Sequence, residues 1–160
     1  MAKQIKKTIK IKKPDVVYDN KKAYHDYEIV QKWTAGIVLE GWEVKALDEY
    51  NGDITVGYCR FVKNDFCLSY SKISPLAHHN KDDADSLKDR KLLLNKTELK
   101  RIAQALKEKG LTCLPLKLYR NKVHLWKIDI ALVKPYKNYD KKEKLKEKDI
   151  ERQNRRENHD

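Results

Sequence analysis

The 27 residues from Lys134 to Asp160 constrain this chain most: they carry ten Lys or Arg and seven Asp or Glu, and after Tyr139 the only apolar residues are Leu145 and Ile150. Such a segment cannot bury enough surface to offset the entropy of ordering it, so it is expected to be disordered in the free chain. Yet it contains no Gly, and its only Pro, Pro135, stands at the entry. Asp140–Lys144 and Glu151–Arg155 place an acid four residues before a base, an order that favours helix. A basic tail poised between coil and helix fits folding on a polyanion. A solvated terminal extension fits the composition equally well.

The formal charge of +12 is unevenly placed. Residues 1–22 contribute +6, the tail +3, and the 111 residues between them only +3. The organisation expected is a basic arm over 1–19, a globular unit over 20–133 and the basic tail over 134–160. Charge blocks of this kind contact nucleic acid or an anionic membrane. The membrane reading is the weaker one, because no segment approaches the roughly 18 apolar residues that a span needs. The N-terminus shows no apolar signal-peptide core. Three cysteines, Cys59, Cys67 and Cys113, show no C-x-x-C spacing and fit free thiols in a cytoplasmic protein.

Along the chain, Tyr24 to Leu39 has the aromatic and β-branched content of one long strand, with Gly36 marking a bend or bulge. Gly41 to Asp48 reads as a short helix and Asn51-Gly52 as a turn. Ile54 to Val62 alternates, placing Ile54, Val56, Tyr58, Arg60 and Val62 on one face. It pairs with Phe66 to Ile73 across a turn at Asn64-Asp65. After a polar loop over 74–89, Asn95 and Glu98 form a capping-box pair. Leu99, Ile102, Ala103 and Leu106 follow at helical spacing, and Gly110 is the expected stop. Leu111–Tyr119 and Val123–Val133 read as a second hairpin. With no β-α-β alternation the sheet should be antiparallel, so the expectation is a mainly β fold: a small closed barrel with helices at its ends.

Two groups of residues invite a functional reading. His78-His79 with Asp82, Asp83 and Asp85 has the residue types of a metal site, but neighbouring side chains in an extended segment point apart, so a solvated loop is the better reading. Asn20, Lys21, Lys22, Tyr24 and His25 combine cations for phosphate with rings that stack on unpaired bases. Burial of Tyr24 in the core fits these residues just as well. Arg90, Lys91, Leu94 and Asn95 extend the nucleic-acid reading to a helix entry, where backbone donors are available.

The residues also resemble a known family. Asn20-Lys21-Lys22-Ala23-Tyr24-His25-Asp26-Tyr27, Ala35-Gly36-Ile37-Val38-Leu39-Glu40-Gly41-Trp42-Glu43-Val44-Lys45-Ala46-Leu47, Arg90-Lys91-Leu92-Leu93-Leu94-Asn95, Lys117-Leu118-Tyr119 and Tyr139-Asp140-Lys141-Lys142 are similar, in the same order, to stretches of the SsrA-binding (SmpB) family. The resemblance implies an oligonucleotide-binding-type antiparallel β-barrel with about three flanking helices. It implies binding to the tRNA-like domain of transfer-messenger RNA and entry into stalled ribosomes, with elongation factor Tu on the same RNA. The tail (Lys137, Tyr139, Asp140, Lys141, Lys142, Lys144, Leu145, Lys146, Lys148 and Ile150) would then turn helical in the decoding centre and mRNA channel. Thr34, Pro135, Tyr136, Lys142 and Ile150 depart from the family's usual residues. Thr34 bears on one RNA contact, and Pro135 should stiffen the tail's entry.

The leading expectation is therefore a monomeric, non-enzymatic RNA-binding adaptor without cofactor or metal. The alternative from another class is an RNA-processing or RNA-modifying enzyme using His25 as acid/base, which needs a second titratable group in reach.

Overall fold

Six antiparallel strands close into a ring, in the order β8-β4-β5-β7-β2-β9 and back to β8. They are β2 (Tyr27–Ile37), β4 (Tyr58–Val62), β5 (Asp65–Ser69), β7 (Arg90–Leu93), β8 (Thr112–Arg120) and β9 (Trp126–Pro135). A short first strand, β1 (Val17–Asp19), adds to the end of β8, and β3 (Gly52–Asp53) pairs with β6 (Lys72–Ile73) apart from the ring. Among the described residues there are four helices: α1 (Lys21–Asp26), α2 (Gly41–Asp48), α3 (Lys96–Leu106) and α4 (Asn138–Glu157). This computed structural model describes residues 16–78, 85–108, 110–136 and 138–157, except the side chains of 138–141 and 157. Most of the basic arm (1–15), together with His79, Asp82, Asp83 and Lys137, lies outside the described residues.

Alternation builds the ring. Trp33, Ala35 and Ile37 of β2 face Ile128 and Ile130 of β9 in the main core, which Leu47, Leu68, Leu92, Ile102 and Leu118 complete. The second half of β9 is buried on both faces, which is why it reads as an unbroken apolar run. Ile130 and Leu132 point into the ring, while Ala131 and Val133 join Leu116 and Ala23 in a small outer cluster beneath α1. Burial of Leu116 and Val133 supplies about 1.5–3 kcal/mol each to hold α1 against the barrel.

Several sequence expectations need correction. Lys21–Asp26 is a helix, not the start of the strand; six residues are too few to show a helical stripe, and Ala23 alone is buried. The boundary of the arm falls earlier than residue 19, because Val16 is buried and Val17–Asp19 pair with Lys117–Tyr119. Tyr18 fixes this end by donating to the Leu47 carbonyl at 2.7 Å, and burial pushes its phenol up to about 12. The bulge in β2 falls at Val30 rather than Gly36. At Gly36 the strand instead passes close under Leu93, whose Cβ would lie 3.2 Å from a Cβ there. Ile54–Val62 is not one strand: a turn occupies Thr55–Val56, and Cys59, not Tyr58 or Arg60, faces the core. The Phe66–Ile73 run breaks at Tyr70, whose φ is 60°. The third helix stops at Leu106, four residues ahead of Gly110. Finally, Asn138–Glu157 is one continuous helix where a disordered free tail was expected. Its Lys, Glu, Arg and Gln are good helix formers, uninterrupted by Gly or Pro.

The capping box read at Asn95 and Glu98 holds, and the structure adds a second one at α2. Asn95 and Glu98 reciprocally satisfy backbone N–H groups at the start of α3, and Glu40 and Glu43 do the same for α2.

A candidate nucleic-acid interface

Helix α1 presents the candidate residues on a rigid seat. Asn20 makes that seat, which is why it is buried at 2% exposure. Its Oδ1 accepts from the Ala23 N–H, its Nδ2 donates to the Pro115 carbonyl at 2.8 Å, and its own N–H donates to the Leu116 carbonyl at 2.8 Å. Those two carbonyls sit at the bulge of β8, between Pro115 and Lys117, where the ladder leaves groups unpaired. The reading of Asn20 as an RNA-contacting residue is thus corrected: it is a clamp between helix and barrel. Asn20→Ala should cost about 1–3 kcal/mol, because buried groups lose their partners. Thermal unfolding checks this; a variant as stable as the parent would show that the clamp holds nothing.

Lys21, Lys22, Tyr24 and His25 stand exposed on the helix, with Tyr24 at 47%. The Lys32 ammonium lies 5.2 Å from the centre of the Tyr24 ring, a cation–π contact that steadies both. One ring nitrogen of His25, Nδ1, is 2.9 Å from Asp26 Oδ1, a contact that orients the imidazole. The outer face of the sheet continues from here. Thr34 Oγ1 donates to Asp129 Oδ1 at 2.8 Å, and Tyr119 OH donates to the same oxygen at 3.2 Å. Burial, then the Asp129 charge, hold the Tyr119 phenol above its usual range. Lys117 lies over the Tyr119 ring at 5.6 Å. Lys32 and Lys117 were missed in the sequence; the period-two alternation of β2 and β8 was the signal that would have placed them outside.

The second group divides. Lys91 and Asn95 are exposed, with Lys91 Nζ 3.1 Å from Asp65. Arg90 is 1% exposed and cannot serve as a surface contact. Its Nε donates to Glu43 Oε1 at 2.8 Å and its remaining nitrogens to the carbonyls of Ser71, Ser86 and Lys88. Leu94 is half-buried against the core, and Leu93 is the exposed leucine, at 52%. Nor do Lys91 and Asn95 join α1 in one patch. Strand β7 meets β2 at Gly36–Ile37, whereas α1 leads into Tyr27. At about 3.3 Å per residue, nine residues of strand separate them by up to about 30 Å.

The tail begins beside α1. Tyr136 N–H donates to the Asp26 carbonyl, and Tyr136 packs under Lys144, which donates to its phenol oxygen. Tyr24, His25, Leu145 and Lys148 complete a small cavity between α1 and α4. Lys142, Lys144, Leu145, Lys146, Lys148 and Ile150 are exposed along α4; Tyr139, Asp140 and Lys141 fall within the helix. Pro135 ends β9 opposite Tyr27, where a missing N–H costs least. Elsewhere, His78 and Asp85 are exposed; the other members of the proposed metal cluster lie outside the described residues.

Residues 17–160 match the family model described as SmpB protein. The chain belongs to the SmpB family. It is 44% identical over 133 residues to the SsrA-binding protein of Flavobacterium johnsoniae, covering 83% of this chain and 88% of that one. It is 42% identical over 155 residues to the SsrA-binding protein of Cytophaga hutchinsonii, covering 97% of both. A solved chain from "tmRNA-SmpB: a journey to the center of the bacterial ribosome" superposes with a TM-score of 0.64 at 37% identity, covering 77% of this chain and 86% of that one. Within this SmpB-family chain the two most distinctive strings prove to be structural partners. Gly41-Trp42-Glu43-Val44-Lys45 supplies Glu43, and Arg90-Lys91-Leu92-Leu93-Leu94-Asn95 supplies Arg90, both fully buried.

Proposed function

We propose that this SmpB-family chain is an RNA-binding adaptor that binds the tRNA-like domain of transfer-messenger RNA and delivers it to stalled ribosomes for trans-translation. The observation that carries this reading is the exposed group of Lys21, Lys22, Tyr24 and His25 on the clamped helix α1, with Lys32 of β2 against Tyr24, beside a lysine-rich tail helix. Cations there neutralise phosphates of a folded RNA, and the Tyr and His rings meet unpaired bases at its elbow. The tail, including Lys137, Tyr139, Asp140, Lys141 and Lys142, engages ribosomal RNA in the decoding centre and mRNA channel. Elongation factor Tu on the same RNA, a monomeric state and a cytoplasmic location belong to the same proposal. Among the described residues no helix is long and apolar enough to cross a membrane.

The adaptor role needs no chemical step. His25 lies open to solvent with Asp26 on one ring nitrogen, an arrangement that orients a hydrogen bond to RNA rather than enclosing a reaction. Salt dependence tests the proposal. Three lysines at phosphates predict a slope of about −3 in log affinity against log salt, a loss of roughly 50-fold between 50 and 200 mM. Lys22→Ala should lower the slope by about one. A flat response would show that these cations do not meet the RNA backbone.

A further inference from the structure

Beside α1, on the side away from the tail, lies a groove of about 320 Å³ lined by Lys22, Tyr27, Val56, Tyr58 and Leu114. That volume suits one nucleotide. Tyr58, on its wall, belongs to a second feature. Its ring stacks on Tyr70 with centroids 5.5 Å apart and planes 21° from parallel. The Arg60 guanidinium lies 5.8 Å from the Tyr58 centroid and 5.5 Å from that of Tyr70. This platform is held deliberately. Gly57 lets the chain approach the Ser69–Ser71 segment, where a Cβ would lie 3.0 Å from Ser71 Cβ. Tyr70 takes a left-handed backbone, φ 60°, that costs a bulky residue energy, and its ring is nonetheless 51% exposed.

The charge at this platform is largely spent. Arg60 Nε donates to Ser69 Oγ at 2.9 Å, Ser69 Oγ donates to Asp89 at 2.5 Å, and Arg60 stands 3.8 Å from the same carboxylate. What remains on offer is the aromatic surface, with Lys22, exposed and without an ion pair among the described residues, on the lining of the groove. An aromatic face and a cation on one groove make the pairing that single-stranded nucleic acid requires. We infer that this groove and the Tyr58–Tyr70 platform bind an unpaired nucleotide of a single-stranded RNA segment, its base stacked at the tyrosines and its phosphate toward Lys22. The inference rests on the reading of the chain as an RNA binder; its stacking surface lies apart from the exposed rings of Tyr24 and His25, and the two surfaces share Lys22.

The test is an anisotropy titration of the full chain with a labelled eight-nucleotide single-stranded RNA, run in parallel with the tRNA-like domain. Tyr70→Phe, Tyr70→Leu and Tyr70→Ala all keep a side chain on the same strained backbone, so they compare at similar structural cost. Stacking predicts that Phe binds the octamer within about twofold of the parent while Leu and Ala lose about tenfold. The loss should be equal at 50 and 200 mM salt, since no ion is released by a stack, and binding of the tRNA-like domain should change less than about twofold. Octamer affinity unchanged in Tyr70→Ala, or lost equally in Tyr70→Phe, overturns the site, as does a parent chain that fails to bind the octamer. Octamer binding that follows this pattern in a chain unable to bind the tRNA-like domain would overturn the adaptor reading and leave this site standing.

Discussion

Arg90→Ala should cost about 3–5 kcal/mol, because it strands the Glu43 carboxylate in the core with its charge uncompensated. Against a total stability of about 5–15 kcal/mol for a domain, that is enough to unfold much of the protein at body temperature. Arg90 is joined to α2 through Glu43 and to the 71–88 segment through three carbonyls, so the change also loosens the wall of the ring. Lys88 reaches Glu43 at 3.5 Å but already bonds Glu40 at 2.9 Å, and it is a poor substitute. Arg90→Lys should fare little better than Ala, since an ammonium cannot fork to several acceptors at once. Urea unfolding measures the loss. The double change Glu43→Ala, Arg90→Ala should cost less than the sum of the single changes, since neither charge is then left alone. A single change costing under about 1 kcal/mol would mean that the pair is solvated, contrary to its burial.

Removal of residues 137–160 should leave the barrel folded and abolish tagging of peptides on stalled ribosomes. Leu145 and Ile150, the apolar residues of α4 beyond Tyr139, are exposed, so this stretch contributes little burial. Binding of the tRNA-like domain should fall only a few-fold, the share of Lys144 and Lys148 next to His25. Leu145→Pro with Ile150→Pro keeps the tail's charge while each proline costs about 3 kcal/mol in a helix interior. It should impair tagging nearly as much as truncation does. In translation of an mRNA lacking a stop codon, normal tagging by the double-proline chain would reduce the tail to a charged tether. Loss of RNA binding on truncation would instead make the tail part of the same RNA face.

What could be read from the sequence follows what is local. The Asn95–Glu98 capping pair and the hairpin of β8 and β9 are signalled within a few residues, and they formed where expected. The 90–95 string misled because three leucines offer no contrast. The strand alternates with Arg90 and Leu92 inside, Lys91 and Leu93 outside, and the inward arginine is tolerable because Glu43, 47 residues away, and the carbonyls of Ser71, Ser86 and Lys88 receive it. Asn20 misled for a similar reason: its partners are carbonyls of a bulge 95 residues distant. Val16-Val17-Tyr18 was the overlooked local signal, three β-formers in a row inside a basic arm. The Tyr58–Tyr70 platform depends on a positive φ and a close strand approach, neither of which periodicity reveals.

The most direct measurement is equilibrium binding of the isolated tRNA-like domain to the full chain and to the Lys21→Ala, Lys22→Ala, His25→Ala triple variant. All three side chains are exposed, so the variant should melt within a few degrees of the parent. At about 1–3 kcal/mol for a stacking or paired contact and about one counterion per lysine, the account predicts at least a 100-fold loss of affinity. Equal binding by a folded triple variant would contradict the assignment of this face to RNA.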